Sequence, residues 1–265
     1  MTGRLAGKVA VITGGGVGIG EATARRLAAA GAKLVVTGRR LGPLESVARE
    51  IGGVAIAGDI GDPATAEAAV TAAVERFGGL DIMVANAGVA IMGDVADISI
   101  EDWRRGMQTN LDGAMFSARA AVVPMRQRGG GSIIFISSVG GIRSAPRFVS
   151  YVTTKTALIG LARSIAYDFG PDNIRANAIC PGWISTEMAE LGFDGIAQMK
   201  GKSRDEVVKG VTRLFPLRRL GEPREIAACV EFLASDDASF VTGSTLVADG
   251  GDAIVEAGTS EMVSS

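Results

Sequence analysis

The sequence predicts an α/β fold: a single-domain, doubly wound parallel sheet of about seven strands with helices on both faces. Three observations point there. Short runs rich in β-branched residues alternate with stretches of helix length along the 265-residue chain. The runs are continuously apolar rather than alternating, the pattern of strands covered on both faces. No Pro/Gly/Ser linker, charge block or fixed-period repeat divides the chain, so 1–265 reads as one domain. At about 150 residues per domain the length would also admit two.

The first strand is Val9-Ala10-Val11-Ile12-Thr13, and a glycine-rich turn leads it into a helix over 20–30. The second strand, 34–37, feeds a helix over 44–51, and the third, 54–57, feeds one over 63–77. Strand 82–85 is followed by a helical stretch over 100–128, weakened inside by Asn110 and Gly113. Strand 133–136 precedes a helix over 150–169, and strand 174–179 runs into the turn pair Pro181-Gly182. A helix over 223–234 and a strand over 245–247 complete the pattern. Repeated β-α-β units joined by right-handed crossovers make the sheet parallel. Between Thr186 and Gly221 lies a strandless segment with glycines, charges and a helix-like 204–212. Its part 187–220 is expected to be a substrate-loop insertion, with a decorated surface loop as the alternative.

Composition removes whole classes of chemistry. The chain has no histidine, which excludes a Ser-His-Asp triad, a Cys-His pair and any imidazole base. Its two cysteines, Cys180 and Cys229, form no CxxC, so no metal site is expected, and they read as buried thiols in a reducing cytosol. Lys+Arg 27 against Asp+Glu 29 gives a charge of -2, which argues against a nucleic-acid or anionic-membrane partner. The polar N-terminus lacks the apolar region of a signal peptide, and no apolar stretch reaches the ~20 residues of a membrane span. The expected location is cytoplasmic. Proton chemistry is left to Tyr, Lys, Ser or a carboxylate.

The turn after the first strand reads Thr13-Gly14-Gly15-Gly16-Val17-Gly18-Ile19-Gly20. Between a strand and a helix, such glycines let backbone N–H groups approach a pyrophosphate at the helix N-terminus. The GxxxxGK[ST] pattern of a P-loop is absent. After the second strand the chain reads Thr37-Gly38-Arg39-Arg40, with no acid to hold a ribose 2′-OH. A guanidinium holds a 2′-phosphate through charge-assisted hydrogen bonds, so NADP(H) is expected over NAD(H), with Arg39 the main clamp and Arg40 the second. The plain alternative is two solvated arginines at a helix start. Ser137-Ser138 ends the fifth strand, Tyr151 follows Ser138 by 13 residues, and Lys155 lies at i+4 from Tyr151 on one helix face. A nearby ammonium favours the phenolate form of a tyrosine, making it a base for alcohol oxidation and an acid for carbonyl reduction.

The pattern TGxxxGIG with Ser138, Tyr151 and Lys155 resembles the short-chain dehydrogenase/reductase family, from Val9 to Val247-Ala248-Asp249-Gly250-Gly251. The resemblance implies a Rossmann-like fold in which Gly14, Val17, Gly18, Ile19 and Gly20 line the cofactor. Asp59 would meet the adenine amine and Ile60 pack beside its ring, although an Asp capping a turn explains Asp59 as well. Asn86-Ala87-Gly88 is similar to the family's NNAG motif, with Ala85 in place of the first Asn, so Asn86 is either structural or a cofactor contact. Asn110 would kink its helix and position a water that links Lys155 to solvent. Ser138 would orient the substrate oxygen, and Lys155 would hold the nicotinamide ribose. Pro181, Gly182, Ile184 and Thr186 lie in a PGxxxT motif that would meet the carboxamide, while a Pro-Gly turn and N-cap is the simpler account.

By this resemblance the protein is expected to be an NADP(H)-dependent oxidoreductase of secondary alcohols and ketones, with a 3-oxoacyl-thioester reductase as the alternative. A non-catalytic dinucleotide-binding regulator is a distant third. A pocket lined by Val89, Val139, Ile142, Trp183, Met188, Leu191 and Phe193 would favour hydrophobic substrates; Arg143 and Arg147 would steer an anionic one or, as is commoner for such arginines, are surface charges. The implied assembly is a homotetramer or homodimer packed through 100–128 and 150–169. The tail after Gly251 would reach a neighbour or remain unstructured.

Overall fold

Strand β1 (Val9–Thr13) is buried at every position, as a continuous apolar run requires when helices cover both faces. Six more strands join it: β2 (Lys33–Gly38), β3 (Val54–Ala57), β4 (Ile82–Ala85), β5 (Gly131–Ile136), β6 (Ile174–Pro181) and β7 (Thr245–Ala248). All pair in parallel, in the order β3-β2-β1-β4-β5-β6-β7. The computed structural model describes residues 3–255. The tail beyond Gly251, for which contact with a neighbour was an expectation, lies mostly outside them.

Neighbouring residues of each strand point to opposite faces and feed two cores. Val11, Val35, Met83, Ile133 and Phe135 pack with α3 (Pro63–Phe77), α5 (Gly113–Gln127) and α6 (Val149–Phe169). Ile12, Val36, Val84 and Ile134 pack with α1 (Gly18–Ala29), α2 (Leu41–Ile51) and α9 (Pro223–Ala234). The helix starts follow local chemistry. Asp62 accepts from Ala64 N ahead of Pro63, and Ser99 accepts from Asp102 N ahead of α4 (Ile100–Met107).

Two segments refine the sequence expectation, which has a kink at Asn110 and a helix over 204–212 but no helix over 187–200. The 100–128 stretch is α4 and α5 joined by a π-helical turn, Gln108–Asp112, with Asn110 at its centre. The 187–220 segment is a helical hairpin, α7 (Glu187–Lys200) and α8 (Arg204–Thr212), rather than an irregular loop. Its own apolar cluster holds Ala189, Phe193, Ala197 and Val207, with Trp183 and Leu220 against it.

The register aligns the strand ends. Thr13 pairs with Thr37, Ala85 with Phe135 and Ile136 with Ile179. The segments that follow β1, β4, β5 and β6 therefore emerge along one carboxyl edge. β1 has β2 on one side and β4 on the other, so the winding reverses there and leaves a crevice between their ends.

Candidate active site

The glycine-rich turn opens into that crevice. Gly14 (φ 66°) and Gly18 (φ 57°) are left-handed, a conformation side chains disfavour. A Cβ on Gly18 would lie 3.3 Å from Thr186, so the turn and the segment after β6 face each other closely. Val17 is the N-cap of α1 and supplies no side-chain cap, which leaves the first N–H groups of the helix for an anion. Ile19 packs on the core beneath, and a Cβ on Gly20 would collide with the Gly14 carbonyl. The cradle fits a pyrophosphate.

Asn86 supports the turn: its Nδ2 donates to the carbonyls of Thr13 (2.9 Å) and Gly14 (3.2 Å). Thr13 Oγ1 in turn accepts from Asn86 N and Ala87 N, both at 3.0 Å. Of the two roles open to Asn86, this geometry is the structural one. Gly88 leaves room for the chemistry, since a Cβ there would lie 3.3 Å from both Asn110 Oδ1 and Lys155 Nζ.

At the end of β5 the two serines divide. Ser137 is buried and donates to the Lys155 carbonyl at 2.7 Å. Ser138 is extended, accepts from Gly140 N at 3.0 Å and hydrogen-bonds Tyr151. Tyr151 and Lys155 sit one turn apart on α6, and Phe148 packs edge-on against Tyr151, ring centroids 6.1 Å apart. Lys155 is 4% exposed, lies 5.6 Å from the Tyr151 ring centroid and donates to Ile136 O at 2.8 Å. Burial lowers its pKa to about 8. Burial pushes the Tyr151 phenol above its ordinary value, and the Ser138 hydroxyl pulls it partly back. The expectation that Lys155 depresses Tyr151 is thus corrected for this state: desolvation outweighs the ammonium, which is spent on a carbonyl. Cys180, buried and free, lies behind Ser137 and Ser138 with its thiol pushed up by burial; Cys229 is half-buried and also free.

Several of the expected site residues also have partners within the chain. Asn110 commits both amide protons, to Val89 O (2.9 Å) and Thr154 Oγ1 (3.1 Å), so its side chain has no donor left for a water. Asp59 caps its own turn, accepting from Gly61 N at 2.9 Å. Ile60 is buried over Gly113, and Ile184 lines a separate cavity of about 200 Å3 with Leu217, Gly221 and Ile226. Thr186 caps α7 by accepting from Ala189 N, and Gly182 lies against Asp249 just past Pro181. Phe193 stacks on Trp183 at 4.8 Å inside the hairpin and does not line a pocket, and Val139 is buried too. Ile142, Met188 and Leu191 are exposed.

The arginines separate as well. Arg40 pairs with Glu187 at 3.0 Å, tying the start of α2 to the start of α7. Arg39 is exposed, with no ion pair among the described residues. Arg143 pairs with Asp252, while Arg147 (φ 61°) pairs with Asp94 and Asp97. Neither is free to steer an anion, because each is already neutralised. Sequence reasoning does not reach Glu187, Asp252, Asp94, Asp97, Phe148 or Thr154. Only Thr154 carried a local signal, a hydroxyl on the turn between Tyr151 and Lys155.

A doubly wound sheet with this cradle at its switch point and a Ser-Tyr-Lys cluster on the same edge defines a dinucleotide-dependent oxidoreductase. Known proteins narrow the class. The family described as Enoyl-(Acyl carrier protein) reductase matches residues 15–252. Dehydrogenase/reductase SDR family member 4 of Homo sapiens is 37% identical over 253 residues, 93% of this chain and 88% of its own. Levodione reductase superposes with a TM-score of 0.90 at 34% identity, covering 96% of this chain and 100% of its own. L-Sorbose reductase from Gluconobacter frateurii, solved with NADPH and L-sorbose, gives 0.90 at 32% identity, covering 97% and 100%. The chain belongs to the short-chain dehydrogenase/reductase family, oxidoreductases that bind NAD(P)(H). Among the described residues no helix is long and apolar enough to cross a membrane.

Proposed function

We propose that the protein reduces ketones to secondary alcohols, and runs the reverse reaction, with NADP(H) in preference to NAD(H). The convergence of Ser138, Tyr151 and Lys155 beside the glycine cradle carries this reading. A nicotinamide cofactor held there would supply or accept the hydride. Gly14, Val17, Gly18 and Gly20 would hold its pyrophosphate, and Arg39 a 2′-phosphate, while Arg40, expected as a second clamp, is engaged by Glu187. Thr186 and the backbone at Pro181-Gly182 would face the nicotinamide end.

Ser138 Oγ holds the substrate oxygen and stabilises charge developing on it. Tyr151 delivers the proton to that oxygen in reduction and takes it in oxidation. Burial holds the phenol above its ordinary pKa and the Ser138 hydroxyl offsets part of that shift. Lys155 keeps a cation near the phenol and would meet the nicotinamide ribose. Asn110 holds the carboxyl end of β4 against α6.

A neutral, apolar substrate fits best, because Arg143 and Arg147 are ion-paired while Ile142, Met188 and Leu191 present apolar surface on the loop and hairpin beside the site. The same pairing weighs against a 3-oxoacyl thioester on an acidic carrier. Substrate binding by the 187–220 hairpin and a homotetrameric assembly belong to this reading; light scattering counts the copies.

A panel of cyclic and acyclic ketones, alcohols and 3-oxoacyl thioesters, followed by nicotinamide absorbance with each cofactor, tests the function. Tyr151→Phe is expected to fold and bind NADPH but to lose about 10²–10⁴-fold in kcat. Near-normal turnover would remove Tyr151 from the chemistry. Arg39→Asp is expected to move the NADP/NAD ratio of kcat/KM toward NAD by about tenfold or more. An unmoved ratio would return Arg39 to the solvated surface.

A further inference from the structure

The π-turn and the Tyr151–Lys155 turn are joined by one hydroxyl. Asn110 Oδ1 accepts from Val89 N at 2.7 Å and its Nδ2 donates to Val89 O at 2.9 Å, a two-point clamp just past β4. Its remaining amide proton goes to Thr154 Oγ1 at 3.1 Å. Thr154 is fully buried, and its own proton goes to the Tyr151 carbonyl, three residues back, at 2.9 Å. The polarity of this chain is fixed: an amide N–H can only donate, so the hydroxyl accepts from Asn110 and must spend its proton on Tyr151.

That carbonyl also stands opposite the Lys155 N–H in the helical ladder, so Thr154 acts on the peptide group between the two functional side chains. Back-bonding of this kind alters the local course of a helix. The other face of α6 is pinned separately, by Ser137 Oγ on Lys155 O and by Thr156 Oγ1 on Gly141 O at 3.2 Å. Thr153 only bonds its own helix, at Val149 O. Among these hydroxyls only Thr154 reaches the Asn110 side chain.

We propose that Thr154 is a positioning residue: it locks the Tyr151–Lys155 turn to Asn110 and, through Asn110, to the end of β4, and so holds the phenol in register with Ser138. The inference rests on the catalytic reading of Tyr151. Freed from Thr154, the turn relaxes, the Ser138–Tyr151 hydrogen bond lengthens, and the phenol keeps the desolvation of its site without the hydroxyl that offsets it.

The chain has two tyrosines, and the other, Tyr167, is 87% exposed, so Tyr167→Phe leaves Tyr151 as the one reporter. In that background, tyrosinate absorbance of the NADP⁺-bound protein is titrated with Thr154, Thr154→Val and Thr154→Ser. Val keeps the shape and removes the hydroxyl; Ser restores it. Thr154→Val is expected to raise the Tyr151 midpoint by about one pH unit. In ketone reduction it is expected to lower kcat about tenfold with the NADPH Kd unchanged, and Ser is expected to return both readouts. An unmoved midpoint, or a shift that Ser does not reverse, overturns the proposal; a change in melting temperature alone does the same. Normal turnover by Tyr151→Phe would instead sink the catalytic reading, and the titration would still report on Thr154.

Discussion

The Lys155 amine is sealed from water by the end of β5 on one side and α6 on the other, and burial brings its pKa from 10.5 to about 8. The sign of the effect on folding follows. Between those two values the unfolded chain binds the proton that the folded chain has released, so this group makes the fold more stable as pH rises through that window. Below it both states are protonated, and the buried charge costs its full amount, on the order of 3 kcal/mol. Lys155→Met, which keeps an apolar stem, is expected to remove this slope. The difference in melting temperature between the two apo proteins should be largest near neutrality and shrink toward pH 10.5. A constant difference would place the amine in water. The sequence paired Tyr151 with Lys155 correctly by spacing, but spacing carries no dielectric. It could not show that the ammonium turns to the Ile136 carbonyl, nor that Arg143 and Arg147 are already neutralised by carboxylates distant in sequence.

The α7–α8 hairpin shows how an element escapes a reading by pattern. Gly192 and Gly195 inside α7 argue against a helix, at about 1 kcal/mol each relative to Ala. Tertiary packing overrides them, with Phe193 and Ala197 set against Val207 and Phe193 stacked on Trp183. α8 was legible because its capping box, Ser203 with Glu206, is local. The π-turn was legible only as a weakness at Asn110 and Gly113, since the bonds that anchor its centre run to Val89, 21 residues away in sequence. Phe193 is 1% exposed and anchors the hairpin, so Phe193→Ala is expected to cost it about 3–5 kcal/mol locally. Hydrogen exchange should accelerate over 187–212 and KM for a ketone should rise, while exchange in β1, β4 and β5 stays slow. Uniform acceleration would mean the hairpin is one cooperative unit with the sheet.

At the scale of the whole molecule, all seven strands were visible as apolar runs: β1 and β4 are buried throughout and need no alternation, and the half-buried edge strands β3 and β7 keep the same apolar character. Their order is set by which helix covers which face, and the chain alone hints at it only through the glycine turn. At the opposite end of the sheet, Asp81 accepts from Val9 N at 2.8 Å and pairs with Arg128 at 3.0 Å, joining β1 to the end of α5 far from the chemistry. The Arg40–Glu187 pair has the opposite character: it is exposed, and it is the outer tether between the nucleotide half and the hairpin. Mobile ions screen such a contact within a Debye length of about 8 Å, whereas the interior Ser138–Tyr151 geometry is sheltered from them. Among the exposed ion pairs, this one joins the hairpin to the nucleotide half, so ionic strength acts on that contact. Added potassium chloride should raise KM for an uncharged ketone and leave kcat in place, and Glu187→Gln should make KM indifferent to the medium.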